Sequence, residues 1–201
     1  MKITEEYVDL NTQLHEKFPS YGTSGKNWAD AVFFLHKYFN IKKVLDYGCG
    51  KQTLAAALPN LKIIGYDPAI PMVSAKPVPA ELVVCGDVLE HIEPELLDEV
   101  ISDLHMLSKK MTFIVLSTRE AKKTLSDGRN AHLIVKSPIW WIKKFENNFD
   151  ILVVHYKEDV SELILLMMPR KNKISNLAIK YRWFKSINNA ASKFYRACHA
   201  E

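Results

Sequence analysis

The sequence predicts an α/β domain of three layers, in which a mainly parallel sheet is covered by helices on both faces. Three observations lead there. Short apolar runs suited to buried strands recur between residues 43 and 168 and alternate with helix-spaced segments, as βα crossover connections do. The first run ends in a glycine turn, Gly48-Cys49-Gly50, directly ahead of an alanine-rich segment. The last two runs are separated by so few residues that they pair as a hairpin, which places antiparallel strands at one end of the sheet. With 201 residues and 48% hydrophobic content, the chain holds one buried core and little more.

In chain order, residues 3–18 set Tyr7, Leu10, Leu14 and Phe18 at helical spacing, and Tyr21-Gly22-Thr23-Ser24-Gly25 ends that helix. A second helix, with Trp28, Val32, Leu35 and Phe39 on one face, completes an N-terminal helical pair within residues 1–40. Lys43 to Tyr47 reads as a buried strand, Lys51 to Leu58 as a helix, and Leu61 to Tyr66 as a second strand that stops at Asp67. Pro68, Pro71, Pro77 and Pro79 exclude regular helix or central strand from residues 68–80. Leu82 to Cys85 is the third apolar run. The helix from Pro94 to about Ser108 carries Glu95, Asp98 and Glu99 early and Lys109-Lys110 at its end, which suits the helix dipole. Met111 to Leu116 is a fourth strand, followed by a polar loop from Thr118 to Asn130 and a short helix bearing Trp140, Trp141 and Phe145. Phe149 to Val154 and Leu163 to Met168 close the sheet as a hairpin across Lys157–Val160.

Charge divides the chain at residue 169. Residues 170–201 carry eight Lys/Arg against one Glu, whereas the rest holds 19 Lys/Arg against 22 Asp/Glu. The expected organisation is therefore a domain over 1–169 and a basic, amphipathic helical tail over 170–201. In the tail, Ile174, Leu177, Tyr181, Phe184, Ala191, Phe194 and Cys198 fall near one stripe. Such a tail folds back on the domain, dimerises through its apolar side, or lies on RNA or a membrane surface. No apolar stretch reaches the length needed to span a bilayer, the N-terminus lacks a secretory pattern, and the three cysteines form no framework. A cytoplasmic protein is expected.

The chemistry centres on the glycine turn. Glycines between a strand and a helix let backbone approach a ligand closely, and the following helix offers free N–H groups. Asp46 ends the strand before the turn, and Asp67 ends the next strand 21 residues later, where a carboxylate can take both hydroxyls of a ribose. The spacing does not fit the dinucleotide pattern G-x-G-x-x-G. Val44-Leu45-Asp46-Tyr47-Gly48-Cys49-Gly50, Gly65-Tyr66-Asp67 and Val88-Leu89-Glu90-His91-Ile92 instead resemble, in order, three motifs of the class I S-adenosylmethionine-dependent methyltransferases. The resemblance covers about residues 21–168 and implies a Rossmann-like sheet and S-adenosylmethionine as cofactor, with S-adenosylhomocysteine as product. It implies that Asp46, Gly48, Cys49 and Gly50 frame the methionine end, that Asp67 holds the ribose, and that Asp87, Val88 and His91 line the crevice near the sulfonium. Two departures stand out. Gln52 replaces the third glycine of the loop, where its side chain is expected to face outward from the first helical turn. Only the proline-rich segment stands where the family places a helix and a strand, so that unit is deleted or reduced, the third-strand region is shortened, and Cys85, Gly86 and Asp87 are the nearest substitutes for its adenine contact.

His91 and His132 are the candidate bases, since imidazole titrates near neutrality. Arg129 and Asn130 in the polar loop, with Tyr21, are the candidate acceptor-binding residues: a guanidinium pairs with phosphate or carboxylate, and an amide with a hydroxyl. The leading expectation is methyl transfer to oxygen or nitrogen of a small or carbohydrate-like acceptor. RNA methylation through the basic tail, or a degenerate cofactor-binding partner subunit, are the alternatives. Asp87, Glu90, His91 and His132 also resemble the metal cluster of the small-RNA 2′-O-methyltransferases, a mixed N/O set suited to Mn²⁺, Fe²⁺ or Zn²⁺ rather than Mg²⁺. Because the Leu-Glu-His-Ile run is also widespread in metal-free relatives and Asp87 stands in place of a Glu, no metal is expected.

Overall fold

Strand β1 (Val44–Tyr47) is buried along its whole length because helices cover both of its faces, which is why its sequence is apolar without alternation. In the computed structural model, which describes residues 3–170, β1 stands between β2 (Ile63–Tyr66) and β3 (Ala80–Gly86) and runs parallel to both. β4 (Ser108–Ser117) continues the sheet parallel to β3. β5 (Phe149–Lys157) and β6 (Glu162–Pro169) form the expected hairpin, and β6 inserts antiparallel against β4, giving the order β2-β1-β3-β4-β6-β5. Between β2 and β3 lies only a 3₁₀ turn, Pro71–Val73, so β2 is an edge strand and the shortened region is real.

The helices α1 (Glu5–Lys17), α2 (Ala29–Phe39), α3 (Thr53–Ala57), α4 (Leu97–Leu107) and α5 (Pro138–Phe145) follow the predicted order. α2 covers one face of the sheet, where Ala31, Val32 and Leu35 meet Val44, Leu82, Val84 and Phe113. α4 and α5 cover the other, where Val100, Ile101, Leu104, Trp141 and Phe145 meet Leu45, Val83, Ile114 and Leu165. Trp141 is thus core, with Trp140 packed edge-on against it at 5.1 Å. α1 does something different. Its Tyr7, Leu10 and Leu14 pack on Leu125 and Ala131 of the loop after β4, so this helix bridges to that loop and not to the sheet. Thr4 fixes its entry: the hydroxyl accepts from Tyr7 N–H as the N-cap and donates to Glu93 at 2.7 Å.

Two boundaries depart from the periodicity. Lys109 and Lys110, expected to end α4, lie in β4; Lys110 reaches across to Glu81 of β3 at 2.7 Å, a cross-strand ion pair that belongs to a sheet. α3 is also shorter than Lys51–Leu58. Gln52 does not occupy a first helical turn: it is the residue before the helix, held left-handed at φ 56° and ψ 31°, with its side chain exposed as expected. Such a conformation costs a non-glycine residue about 1 kcal/mol or more. The tail over 171–201 lies outside the described residues, and among the described residues no helix is long and apolar enough to cross a membrane. Gln52→Gly is expected to keep or raise stability, by up to about 1 kcal/mol in denaturant unfolding, because it removes the left-handed penalty at an exposed side chain.

Candidate functional site

β1, β2 and β3 are parallel, so their carboxyl ends lie at one edge of the sheet, where an α/β fold opens its ligand crevice. A cavity of about 370 Å³ sits there, lined by Asp46, Gly48, Cys49, Gly50, Asp67, Gly86, Asp87, Val88 and His91 from the strand ends. The glycines are dictated by close approach. A Cβ on Gly48 would lie 2.3 Å from Val88, and one on Gly50 would lie 2.5 Å from the carbonyl oxygen of Gly22. Both backbones are left-handed, at φ 79° and 49°.

That second contact ties the loop to residues 19–26, which run over it as a strap. Lys51 N–H donates to Gly22 O at 2.8 Å, Thr53 Oγ1 donates to Thr23 O at 3.0 Å, and Lys26 N–H donates back to Thr53 Oγ1 at 3.2 Å. Beneath the loop, Gly48 and Cys49 N–H share Tyr66 O, and Asp67 accepts from Gly50 N–H at 3.1 Å and Ala69 N–H at 3.0 Å. Asp67 is thereby held rigidly with its remaining lone pairs toward the cavity. Asp46 is 5% exposed; burial, and secondarily the Asp67 carboxylate, push its pKa up to about 7. Burial also raises Asp87, against the opposing effects of the Ser24 hydroxyl and His132.

A second group of side chains stands behind the cavity wall. The motif Val88-Leu89-Glu90-His91-Ile92 forms a 3₁₀ turn, Leu89–His91, that sends Glu90 into the core and His91 to the cavity. His91 Nδ1 donates to Ala131 O at 2.7 Å, and His132 Nδ1 donates to Arg119 O at 2.6 Å. A carbonyl can only accept, so each ring keeps its proton on Nδ1 and leaves a lone pair on Nε2. The two rings meet edge to face at 4.7 Å. Glu90 is fully buried; one oxygen accepts from Ser117 N–H at 2.8 Å and the other has no partner. Ligand atoms of Glu90, His91 and His132 lie within 4.8 Å of one another. Burial, then His132, lowers the pKa of His91 to about 3. It is a neutral hydrogen-bond acceptor at physiological pH and a weak base.

The expected site residues therefore divide. Asp46, Gly48, Cys49, Gly50, Asp67, Asp87, Val88, His91 and Tyr21 meet at one cavity. His132 touches it only through His91. Arg129 and Asn130 are displaced from it, contrary to expectation. Arg129 is exposed and bonded to Asp127 at 2.6 Å, a short-range pair within one turn. Asn130 uses its amide to hold the loop, accepting from Ala121 N–H and His132 N–H and donating to Ala121 O. In their place come residues the helical stripe had hidden: Tyr7, Asn11 and His15 of α1, together with Trp28 and Lys123. Tyr7, Asn11 and His15 follow an i, i+4, i+8 line, a largely polar stripe beside the apolar one, and that spacing was the available signal. Tyr21 joins the wall by donating to Asn11 at 3.3 Å and by ring contacts with His15 at 4.8 Å and His91 at 6.0 Å.

No family model and no curated protein matches the chain. Solved structures do. A Burkholderia thailandensis 1,6-didemethyltoxoflavin-N1-methyltransferase, with 1,6-didemethyltoxoflavin and S-adenosylhomocysteine bound, matches at TM-score 0.60 and 13% identity over 85% of this chain and 92% of that one. Magnesium protoporphyrin IX methyltransferase from Synechocystis PCC 6803, also with S-adenosylhomocysteine bound, matches at TM-score 0.52 and 17% identity over 72% of this chain and 83% of that one. At such identities the likeness is one of fold: the chain has the class I methyltransferase fold.

The raised pKa of Asp46 has a consequence for stability. The folded form binds a proton that the unfolded form has released once pH exceeds the ordinary carboxylate value of 3.8. Stability of the ligand-free protein is therefore expected to fall as pH rises from about 4 to about 7, and Asp46→Asn is expected to remove much of that slope in melting curves.

Proposed function

We propose that the protein is an S-adenosylmethionine-dependent methyltransferase that transfers methyl to oxygen or nitrogen of a small-molecule acceptor. The observation that carries this reading is the pairing of two buried carboxylates, Asp46 and Asp67, around a glycine loop too close to its strap to admit side chains. The donor set suits the cofactor: a carboxylate for its ammonium and sulfonium charge, a second for its ribose hydroxyls, and loop backbone for its carboxylate. When bound, the cofactor supplies an electrophilic methyl group on a positively charged sulfur.

The chain's own part is alignment and exclusion of water. Asp67 arrives prepositioned by two backbone N–H groups, so little order is lost when it takes a diol. Asp46, near half-protonated at neutral pH without ligand, ionises when a cation approaches. α1 and the strap line the cavity opposite the strand ends, and His91 presents Nε2 to whatever atom lies at the reacting end. Arg129, Asn130 and His132 have no direct part in this reading.

Titration calorimetry with S-adenosylmethionine checks it. Binding is expected in the wild type, with affinity that rises as pH goes from 6 to 8 and with proton release. Asp46→Asn should flatten the pH dependence, and Asp67→Ala should lose about tenfold or more in affinity. No binding of S-adenosylmethionine or S-adenosylhomocysteine would sink the proposal.

A second reading, metal-assisted methylation of a hydroxyl such as a ribose 2′-OH, is favoured by one specific feature. Glu90 keeps an unpartnered, fully buried oxygen next to two imidazoles whose Nε2 lone pairs are free. Backbone carbonyls on both Nδ1 atoms are the supports a metal-ligating histidine needs. The set suits Mn²⁺, Fe²⁺ or Zn²⁺, which would lower the pKa of a bound hydroxyl. This reading expects stoichiometric Zn²⁺ or Mn²⁺ binding that Glu90→Gln weakens at least tenfold, with chelator-sensitive label in nuclease-sensitive material. Chelator-resistant label in the low-molecular-weight pool would eliminate it.

A further inference from the structure

The cavity is electrostatically two-faced. Every carboxylate that lines it, Asp46, Asp67 and Asp87, stands at the strand ends. The opposite wall, made by α1, the strap and the loop after β4, contributes no carboxylate, and its charged lining groups are Lys26 and Lys123. Lys26 is exposed and Lys123 is half-buried. The Lys123 ammonium lies over the rings of Phe18 at 5.3 Å and Tyr21 at 5.4 Å, and among the described residues no carboxylate pairs with it.

Lys123 is also fixed relative to the reacting end of the cavity. Its carbonyl accepts from Ala131 N–H at 3.0 Å, and the carbonyl of the same Ala131 accepts from His91 Nδ1. One peptide segment thus clamps Lys123 and His91 together. A cation in a half-buried wall, resting on aromatic faces and lacking an anionic partner from the protein, is poised for an anion from the ligand.

We propose that Lys123 makes the enzyme selective for a small carboxylic acid, whose ionised carboxylate it holds beside His91 with one oxygen, leaving the other free for the methyl group. The inference rests on the methyl-transfer reading of the same cavity and narrows its acceptor. The chemistry balances without a base. A carboxylate lone pair forms the O–CH₃ bond while the S–CH₃ bond breaks, the negative and positive charges cancel, and the products are an ester and a thioether. No proton is moved. Arg129, the anion partner expected from sequence, is already occupied by Asp127, and Lys123 takes that place.

The test uses the full chain saturated with S-adenosylhomocysteine at pH 7.5 and low salt. Benzoate and benzamide serve as probes of the same shape and different charge, followed by quenching of tryptophan fluorescence, to which Trp28 in the cavity wall contributes. Benzoate is expected to bind at least about tenfold more tightly than benzamide; Lys123→Met should abolish that preference, and Lys123→Arg should largely keep it. Affinity for S-adenosylhomocysteine should be unchanged in both variants, which shows that they are folded. Equal binding of the two probes, or a preference that survives in Lys123→Met, would overturn the proposal and leave the methyltransferase reading standing. Failure of the wild type to bind S-adenosylhomocysteine would overturn both.

Discussion

The contact between Gly50 and Gly22 is the constraint on which the rest of this structure depends. A backbone carbonyl stands 2.5 Å from where the Gly50 Cβ would be, so the cofactor loop and the N-terminal strap touch main chain to main chain. Side chains cannot intervene, and three further hydrogen bonds between residues 22–26 and 51–53 follow from the approach. α1 precedes the strap directly and is therefore carried to the mouth of the cavity, where it packs on the loop after β4. Every wall of the site is then one or two contacts removed from a pair of glycines.

Electrostatics divides the work between the two sides of that cavity. The strand ends concentrate carboxylates in a buried place, where desolvation and, secondarily, the nearby Asp67 carboxylate make Asp46 reluctant to ionise alone. The opposite wall is built from neutral polar groups, aromatic rings and lysine. A ligand that bridges the two sides should be positive at one end and neutral or negative at the other, which is the polarity of a sulfonium donor facing an electron-rich acceptor.

Behind the wall, Glu90, His91 and His132 illustrate how a short motif and a distant loop become one unit. Ala131 and Arg119 supply the carbonyls that set both imidazole tautomers, and Ser117 supplies the N–H that holds Glu90. Ser117 ends β4, Arg119 follows it in the loop, and Ala131 ends the small hairpin of residues 123–131, whose ladder is Leu125–Arg129, Thr124–Asn130 and Lys123–Ala131. Asn130 and Arg129 thus serve the loop's shape: one staples it to Ala121, and the other closes its turn with Asp127. Their polarity in the sequence reflects the needs of a hairpin exposed to water.

Local chemistry determined much of this protein from sequence alone. Apolar runs located all six strands, glycines marked the loop, and Asp46 and Asp67 were legible because an acid at the end of a buried strand has few other uses. Helix stripes found α1, α2, α4 and α5 because burial imposes their period. Tertiary structure alone decided what lies opposite the strand ends. Gln52 took a left-handed backbone that its side chain does not announce, since loop closure outweighed its own preference. Arg129 and Lys123 are both cations in one polar loop, and only the hairpin register turned the first to solvent and the second to the cavity. Periodicity encodes which residues face an element's own neighbours. It carries no record of which surface a separate loop will meet, because that depends on contacts between segments far apart in the chain.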